Sequence, residues 1–304
     1  EIMDVAMASE VEWPESDDVE ERFMACVEAL QTMDWAASRA MLSEIHTYSQ
    51  QKSRMGAIKL LQRLLDRRYP TGSLRRSRWQ DHVEDALTEV LTGAKSNPCE
   101  NLVGQTGPGH RPSPEHPDQA IVVDARPYPI EGNDSLAREL VAMYELGWKN
   151  FHVILCQGHR FIGNGFGMNT EDVRIDVYGS VGDYLGSGND GMTIHMHGNG
   201  QDQIGQIHKK GTLVVHGDVG QCYGYGAKGG NLFVMGNAAG RPMINTVGSP
   251  KLVVNGTALD YLAESCMAGD PLDGGGFVII NGIEYTPEGD IVSMATPYPG
   301  GNLF

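Results

Sequence analysis

The chain has 304 residues, 40% of them hydrophobic, and no apolar run long enough to cross a bilayer, which excludes a membrane-spanning helix. Its formal charge of −16 divides into −7 for residues 1–118 and −9 for 119–304, which excludes a general polyanion binder. Five cysteines (Cys26, Cys99, Cys156, Cys222, Cys266) without CxxC spacing suggest neither a disulfide framework nor an iron–sulfur or zinc site, and the acidic N-terminus lacks the basic-then-apolar order of a secretory signal, so a cytoplasmic chain with reduced thiols is expected.

Residues 1–92 read as a helical domain of about three helices. Phe23, Val27, Leu30 and Trp35 approximate one apolar stripe, behind Asp17, Asp18, Glu20 and Glu21 in the first turn, where the helix dipole favours acids. A second helix is expected over 53–68, with Met55, Ile58, Leu61, Leu64 and Leu65 on one face and Pro70 and Gly72 beyond its end. A third, over 78–91, carries Val83, Leu87 and Val90. Between 59 and 78 lie Lys59, Arg63, Arg67, Arg68, Arg75, Arg76 and Arg78 against the single acid Asp66. Leucines at 60, 61, 64 and 65 make half of this stretch an ordinary amphipathic helix, and Tyr69 and Trp79 are not spaced as a stacking platform. Docking on an acidic partner, or on the acidic remainder of the chain, is therefore favoured over nucleic acid.

From 93 to 118 the composition turns to Gly, Pro, Ser and Asn, and Pro98, Pro108, Pro112, Pro114 and Pro117 forbid a helix, so a semi-extended, exposed linker is expected. Residues 120–129 then read as a buried strand. A helix follows over 135–146, capped by Asp134 or Ser135, ended by Gly147 and apolar along Leu136, Leu140, Met143 and Tyr144; 151–158 is a second strand.

The rest of the chain repeats itself. IDVYG (175–179), IHMHG (194–198), LVVHG (213–217), LFVMG (232–236), LVVNG (252–256) and VIING (278–282) end on Gly179, Gly198, Gly217, Gly236, Gly256 and Gly282, a period of about nineteen residues. Each copy alternates, with Ile175 and Val177, Ile194 and Met196, Leu213 and Val215, Leu232 and Val234, Leu252 and Val254, and Val278 and Ile280 in the same two columns. About nineteen residues are too few for a strand–helix–strand unit, so the chain must coil and lay each strand in parallel beside the last: a parallel β-helix, with the preceding βαβ unit capping its open edge.

Between the strands lie glycine-rich corners such as GSVGDYLGSGNDG (179–191) and GDVGQCYGYGAKGG (217–230), where positive φ and close stacking favour glycine. GSGNDG (186–191) and GYGAKG (224–229) match the dinucleotide fingerprint, but strands rather than helices follow them and they lie two repeats apart, so they are read as corners. The stretch 261–276 interrupts the repeat. The aperiodic tail over 286–304, with Pro297, Pro299 and Phe304, is expected to lie along a partner or the coil.

Together with GHRFIGNG (158–165), GDYLGSG and GQCYGYGAKGG, this pattern resembles the GXGXG domain over roughly 120–282. That family includes the C-terminal β-helix of the glutamate synthase large subunit, the C subunit of formylmethanofuran dehydrogenase and stand-alone homologues. The resemblance implies a right-handed β-helix that serves as a scaffold inside a larger oxidoreductase. The expected architecture is thus mainly β with α: a right-handed parallel β-helix of about 19-residue rungs within 119–304, preceded by a βαβ cap and a small N-terminal helical domain.

Three constellations are weighed for chemistry. His197 and His216 share a column in adjacent turns and His195 points to the same side, so the three are the metal candidates. The column Tyr178, His197, His216, Met235, Asn255, Asn281 offers no carboxylate, and a solvated or interface ladder is preferred. Cys222 and Cys266 are candidate thiol nucleophiles without a local motif. Asp183, Asp190, Asp202 and Asp218 are expected to bond the amides of their own turns. No catalytic or cofactor-binding residue is assigned.

The neighbouring outward column reads Asp176, His195, Val214, Phe233, Val253, Ile279, polar and then apolar; the last four form the expected interface. The functional expectation is a non-catalytic scaffold subunit of a glutamate-synthase-like complex. Flavin and iron–sulfur clusters would sit on partner subunits, beside amidotransferase-like chains. The alternatives are a formylmethanofuran-dehydrogenase-like subunit, a stand-alone metal or thiol enzyme, and a binding module that acts through the arginine-rich helix.

Overall fold

The computed structural model describes residues 11–98, 101–270, 274–285 and 291–294. The chain forms two compact units, Glu1–Gly104 and Gln105–Phe304.

The first unit has four helices: α1 (Val19–Leu30), α2 (Trp35–Gln51), α3 (Arg54–Asp66) and α4 (Arg76–Ser96). The Asp18 carboxylate accepts from the amides of Glu20 and Glu21, Asp34 accepts from those of Ala36 and Ala37, and Ser53 accepts from that of Gly56, so three of the four N-termini are capped by side chains. α2 is the helix that the apolar stripes do not predict. Its inward face is Ser38, Met41, Leu42, Ile45 and Ser49, too polar to stand out, and Trp35 belongs to its first turn rather than to α1. Leu30, Ile58, Leu61, Leu64, Trp79, Val83 and Leu87 meet in the core with 1% exposure or less. Trp79 Nε1 donates to the Tyr69 hydroxyl at 2.8 Å, and that hydroxyl donates to the Leu64 carbonyl at 2.6 Å, so both buried polar tips are satisfied.

The stretch 93–118 is only partly a linker. α4 runs on to Ser96, and β1 (Leu102–Gln105) is a buried strand of the main sheet. It is followed by β2 (Ala120–Asp124), α5 (Leu136–Glu145), β3 (Asn150–His159), β4 (Arg174–Val181), β5 (Asp190–Met196), β6 (Lys210–Val215), β7 (Asn231–Val234), β8 (Val247–Gly248), β9 (Lys251–Val254), β10 (Met267–Ala268), β11 (Phe277–Ile280), β12 (Ile283–Tyr285) and β13 (Ile291–Met294).

From β2 through β7, and on through β9 to β11, each strand pairs in parallel with the one before it. β8 and β10 form a second parallel pair, with β10 in the stretch that interrupts the repeat. The result is a parallel β-solenoid. In its interior Ile175, Ile194, Leu213, Leu232 and Leu252 lie in register, and Val177, Met196, Val215, Val234 and Val254 form a second stack; all are 1% exposed or less. Each such side chain contributes roughly 1.5–3 kcal/mol by leaving water. β12 and β13 pair in antiparallel fashion, so part of the tail read as aperiodic is a hairpin whose strands are too short to show a period. Pro297, Pro299 and Phe304, like Cys99, lie outside the described residues.

The corners follow one rule. Three alternate residues adopt left-handed backbone in each turn: Gln203, Gly205 and Ile207 in one, Cys222, Gly224 and Gly226 in the next, Arg241, Met243 and Asn245 after that. Bonds between turns hold them, with the Gln203 amide donating to the Gln221 carbonyl at 2.8 Å and the Arg241 amide to that of Asp260 at 2.7 Å. The strand-end glycines are required for another reason. A Cβ on Gly198 would stand 2.2 Å from the Gly179 carbonyl oxygen, and one on Gly217, Gly236 or Gly256 would strike a backbone oxygen and an Asn or Asp side chain of the turn below. Gly179 and Gly282, at the two ends of that column, do have positive φ.

Candidate functional site

One outward face of the solenoid gathers the chemistry. β3 to β7, β9 and β11 place His152, Asp176, His195, Val214, Phe233, Val253 and Ile279 in a single register. Successive strand side chains alternate, so Arg174 and Tyr178 point to the same side as Asp176. His197 and His216 lie two residues beyond His195 and Val214.

Asp176 is the centre of the polar end. Although only 3% exposed, its carboxylate accepts from Arg174 Nε at 2.6 Å and Nη2 at 3.0 Å, and from His197 Nε2 at 2.8 Å, with His152 Nδ1 at 3.9 Å. Burial opposes its charge, but the bonds from His197 and Arg174 and the charges of His152 and Arg174 outweigh burial and hold the carboxyl far below the usual range. Donating from Nε2 fixes the orientation of the His197 ring, which is sandwiched between Tyr178 and His216 with centroids at 4.2 and 4.7 Å. His195 Nδ1 lies 3.2 Å from His216 Nε2, within hydrogen-bond reach, with donor and acceptor set by the ring tautomers. Burial, then the neighbouring Arg174 charge, pushes His195 down, which keeps it neutral.

His195, His197 and His216 are therefore together; their own column holds no carboxylate, but Asp176, from the neighbouring outward column, supplies one diagonally from the turn below. Among the described residues no group of three or more His, Cys, Asp or Glu is arranged to hold a metal ion. His197 is committed to Asp176, and a metal at this face would find only the His195 and His216 pair. Sequence reasoning included Asp176 in the outward column but missed its bonds, along with Arg174 and His152. The signal was Arg-x-Asp within one strand, two residues on the same face.

Cys222 and Cys266 are half-buried free thiols at two different corners, away from the histidine strands. Cys222 occupies a left-handed corner position at φ 60°, and Cys266 Sγ accepts from Thr246 Oγ1 at 3.0 Å. The corner acids do not bond their own turns. Asp183 accepts from the Asp202 amide at 3.1 Å, Asp202 from that of Gln221 at 2.8 Å and Asp218 from that of Asn237 at 2.7 Å, each one turn ahead, while Asp190 lies 3.4 Å from Lys209 Nζ. Asp183, Asp202 and Asp218 are thus rungs of a ladder that runs from turn to turn.

The apolar end is Val214, Phe233 and Val253, half-buried by one another, and Ile279, 36% exposed. Met235, 41% exposed, extends the apolar area sideways. In the other unit the basic stretch is largely engaged. Arg63 and Arg67 both reach Glu20 at 2.6 Å, Arg76 donates to the carbonyls of Tyr69 and Arg67, and Arg78 lies over the Trp35 ring. Among the described residues no helix is long and apolar enough to cross a membrane. No family model, curated protein or solved structure matches the chain.

Proposed function

We propose that the chain is a non-catalytic scaffold subunit of a glutamate-synthase-like multi-subunit oxidoreductase, working in the cytoplasm, with flavin, iron–sulfur and amidotransferase chemistry on partner chains. The observation that carries the scaffold role is the apolar half of the outward face, Val214, Phe233, Val253 and Ile279 in one register beside Met235. Covering what remains exposed on each is worth about 1 kcal/mol. The kind of complex rests on the resemblance to the GXGXG domain, in which the solenoid is right-handed with rungs of about nineteen residues and β2, α5 and β3 form its cap. A formylmethanofuran-dehydrogenase-like complex would use the same surface and is told apart by the cofactors that co-purify.

An enzymatic reading has one observation in its favour, the His195 and His216 nitrogens at 3.2 Å, close to the spacing of two ligands on one ion. The scaffold reading is tested by purifying the tagged chain from its native host, with Phe233→Asp alongside. Wild type is expected to bring down stoichiometric chains with flavin and cluster absorption. Phe233→Asp should keep its thermal midpoint and lose them. Wild type recovered alone, or a variant that assembles as well as wild type, overturns the proposal.

A further inference from the structure

The helical unit holds a cavity of about 370 Å³, lined by Trp13, Arg22, Glu44, Ile45, Tyr48 and Lys52 among others. Its size falls at the lower end of small-molecule sites, and its walls combine flat aromatic and aliphatic surface with charged and polar groups.

Arg22 is the unusual member. It lies on the inward side of α1 with Phe23, Cys26 and Leu30 and is 5% exposed, where an aliphatic residue would satisfy the helix equally well. Its guanidinium stacks on Tyr48, 4.2 Å from the ring centroid, and lies 5.8 Å from that of Trp13. Nη2 reaches Asp17 Oδ1 at 3.2 Å, but the buried Nε has no acceptor among the described residues. A charged donor buried without an acceptor is costly, so the site is short of one. Arg22 is paired with Asp17, and Lys52 and Glu44 also line the cavity, Glu44 accepting from Trp13 Nε1 at 2.7 Å.

We propose that this cavity binds a small monocarboxylate with an aromatic or aliphatic body, its carboxylate accepting from Arg22 and its body lying against Trp13, Tyr48 and Ile45. A carboxylate supplies the missing acceptor, and a charge-assisted bond to a guanidinium is among the stronger ones available. The site lies within the helical unit, so it stands apart from the scaffold reading of the solenoid.

The test titrates the full chain calorimetrically with benzoate, phenylacetate and 4-phenylbutyrate, each against its neutral primary amide, while following tryptophan fluorescence. At least one acid is expected to bind about 10-fold tighter than its amide, a preference that Arg22→Lys should abolish. Lys52→Gln, at an exposed position that leaves the core intact, should weaken the acid several-fold and flatten its salt dependence, so the proposal stays testable if Arg22→Lys fails to fold. Trp13→Phe should remove the fluorescence response and keep the heat. Equal affinity for acids and amides, no heat from any acid with the folded chain, or binding indifferent to both Arg22→Lys and Lys52→Gln overturns it.

Discussion

Asp176 and His208 are buried ionisable residues of the solenoid with opposite electrostatic demands. Asp176 is held charged by Arg174 and His197, so what it contributes is present above its ordinary titration near pH 4 and is lost only in strong acid. His208 is fully buried inside the coil, its Nε2 3.3 Å from the Gly211 carbonyl, and burial pushes it down from 6.5 to about 4. The unfolded chain takes up that proton at about pH 6.5 while the folded chain refuses it until about 4, so stability is complete above the first value and falls towards the second. Between pH 7 and 4.5 this one residue should remove about 2–3 kcal/mol of unfolding free energy. Urea titrations at the two pH values check it: His208→Gln should flatten the difference by that amount. The role of Asp176 was not legible because its bond to His197 crosses diagonally between turns, 21 residues apart, and column reading follows only straight registers.

Glycine does two separate jobs in the solenoid, and substitutions should tell them apart. Gly226 has φ 62°, and the nearest atom to an added Cβ is Ile207 Cγ1 at 3.8 Å, so Gly226→Ala meets only backbone strain, about 1–2 kcal/mol. Gly198 needs no positive φ, but its added Cβ would stand 2.2 Å from the Gly179 oxygen in a backbone stacked from both sides. Gly198→Ala should cost about 3 kcal/mol or more, the larger loss of the two, as measured by denaturant midpoints of the two variants. The motif spacing made both kinds of glycine visible but not the distinction, since Met243, Asn245 and Ser265 occupy corner positions where other turns use glycine. Helix boundaries behave similarly: the Asp34 cap could be read locally, yet α2 went unpredicted because packing, rather than an apolar stripe, holds its face inward.

For the whole molecule, the scaffold reading makes a prediction about the isolated chain: visible absorption and metal analysis should find no stoichiometric flavin, cluster or transition metal. A tightly held zinc that is lost when His195→Ala and His216→Ala are combined would instead establish the enzymatic reading. Much of the architecture could be derived from residues alone. A repeat of alternating Ile, Val and Leu too short to contain a helix leaves coiling as the way to bury two apolar columns, and parallel registers such as Leu213 with Leu232 follow directly. Tertiary structure alone decided what depends on neighbours distant in sequence. It brought Arg174, His152 and His197 around Asp176, sent corner carboxylates to the amides of the next turn, and set Arg22 against Tyr48 on the wall of a cavity. Period and patterning specify which side of a strand faces the core, because that depends on one element at a time; the charge and partners of a buried polar group depend on several elements meeting, and no local spacing encodes that.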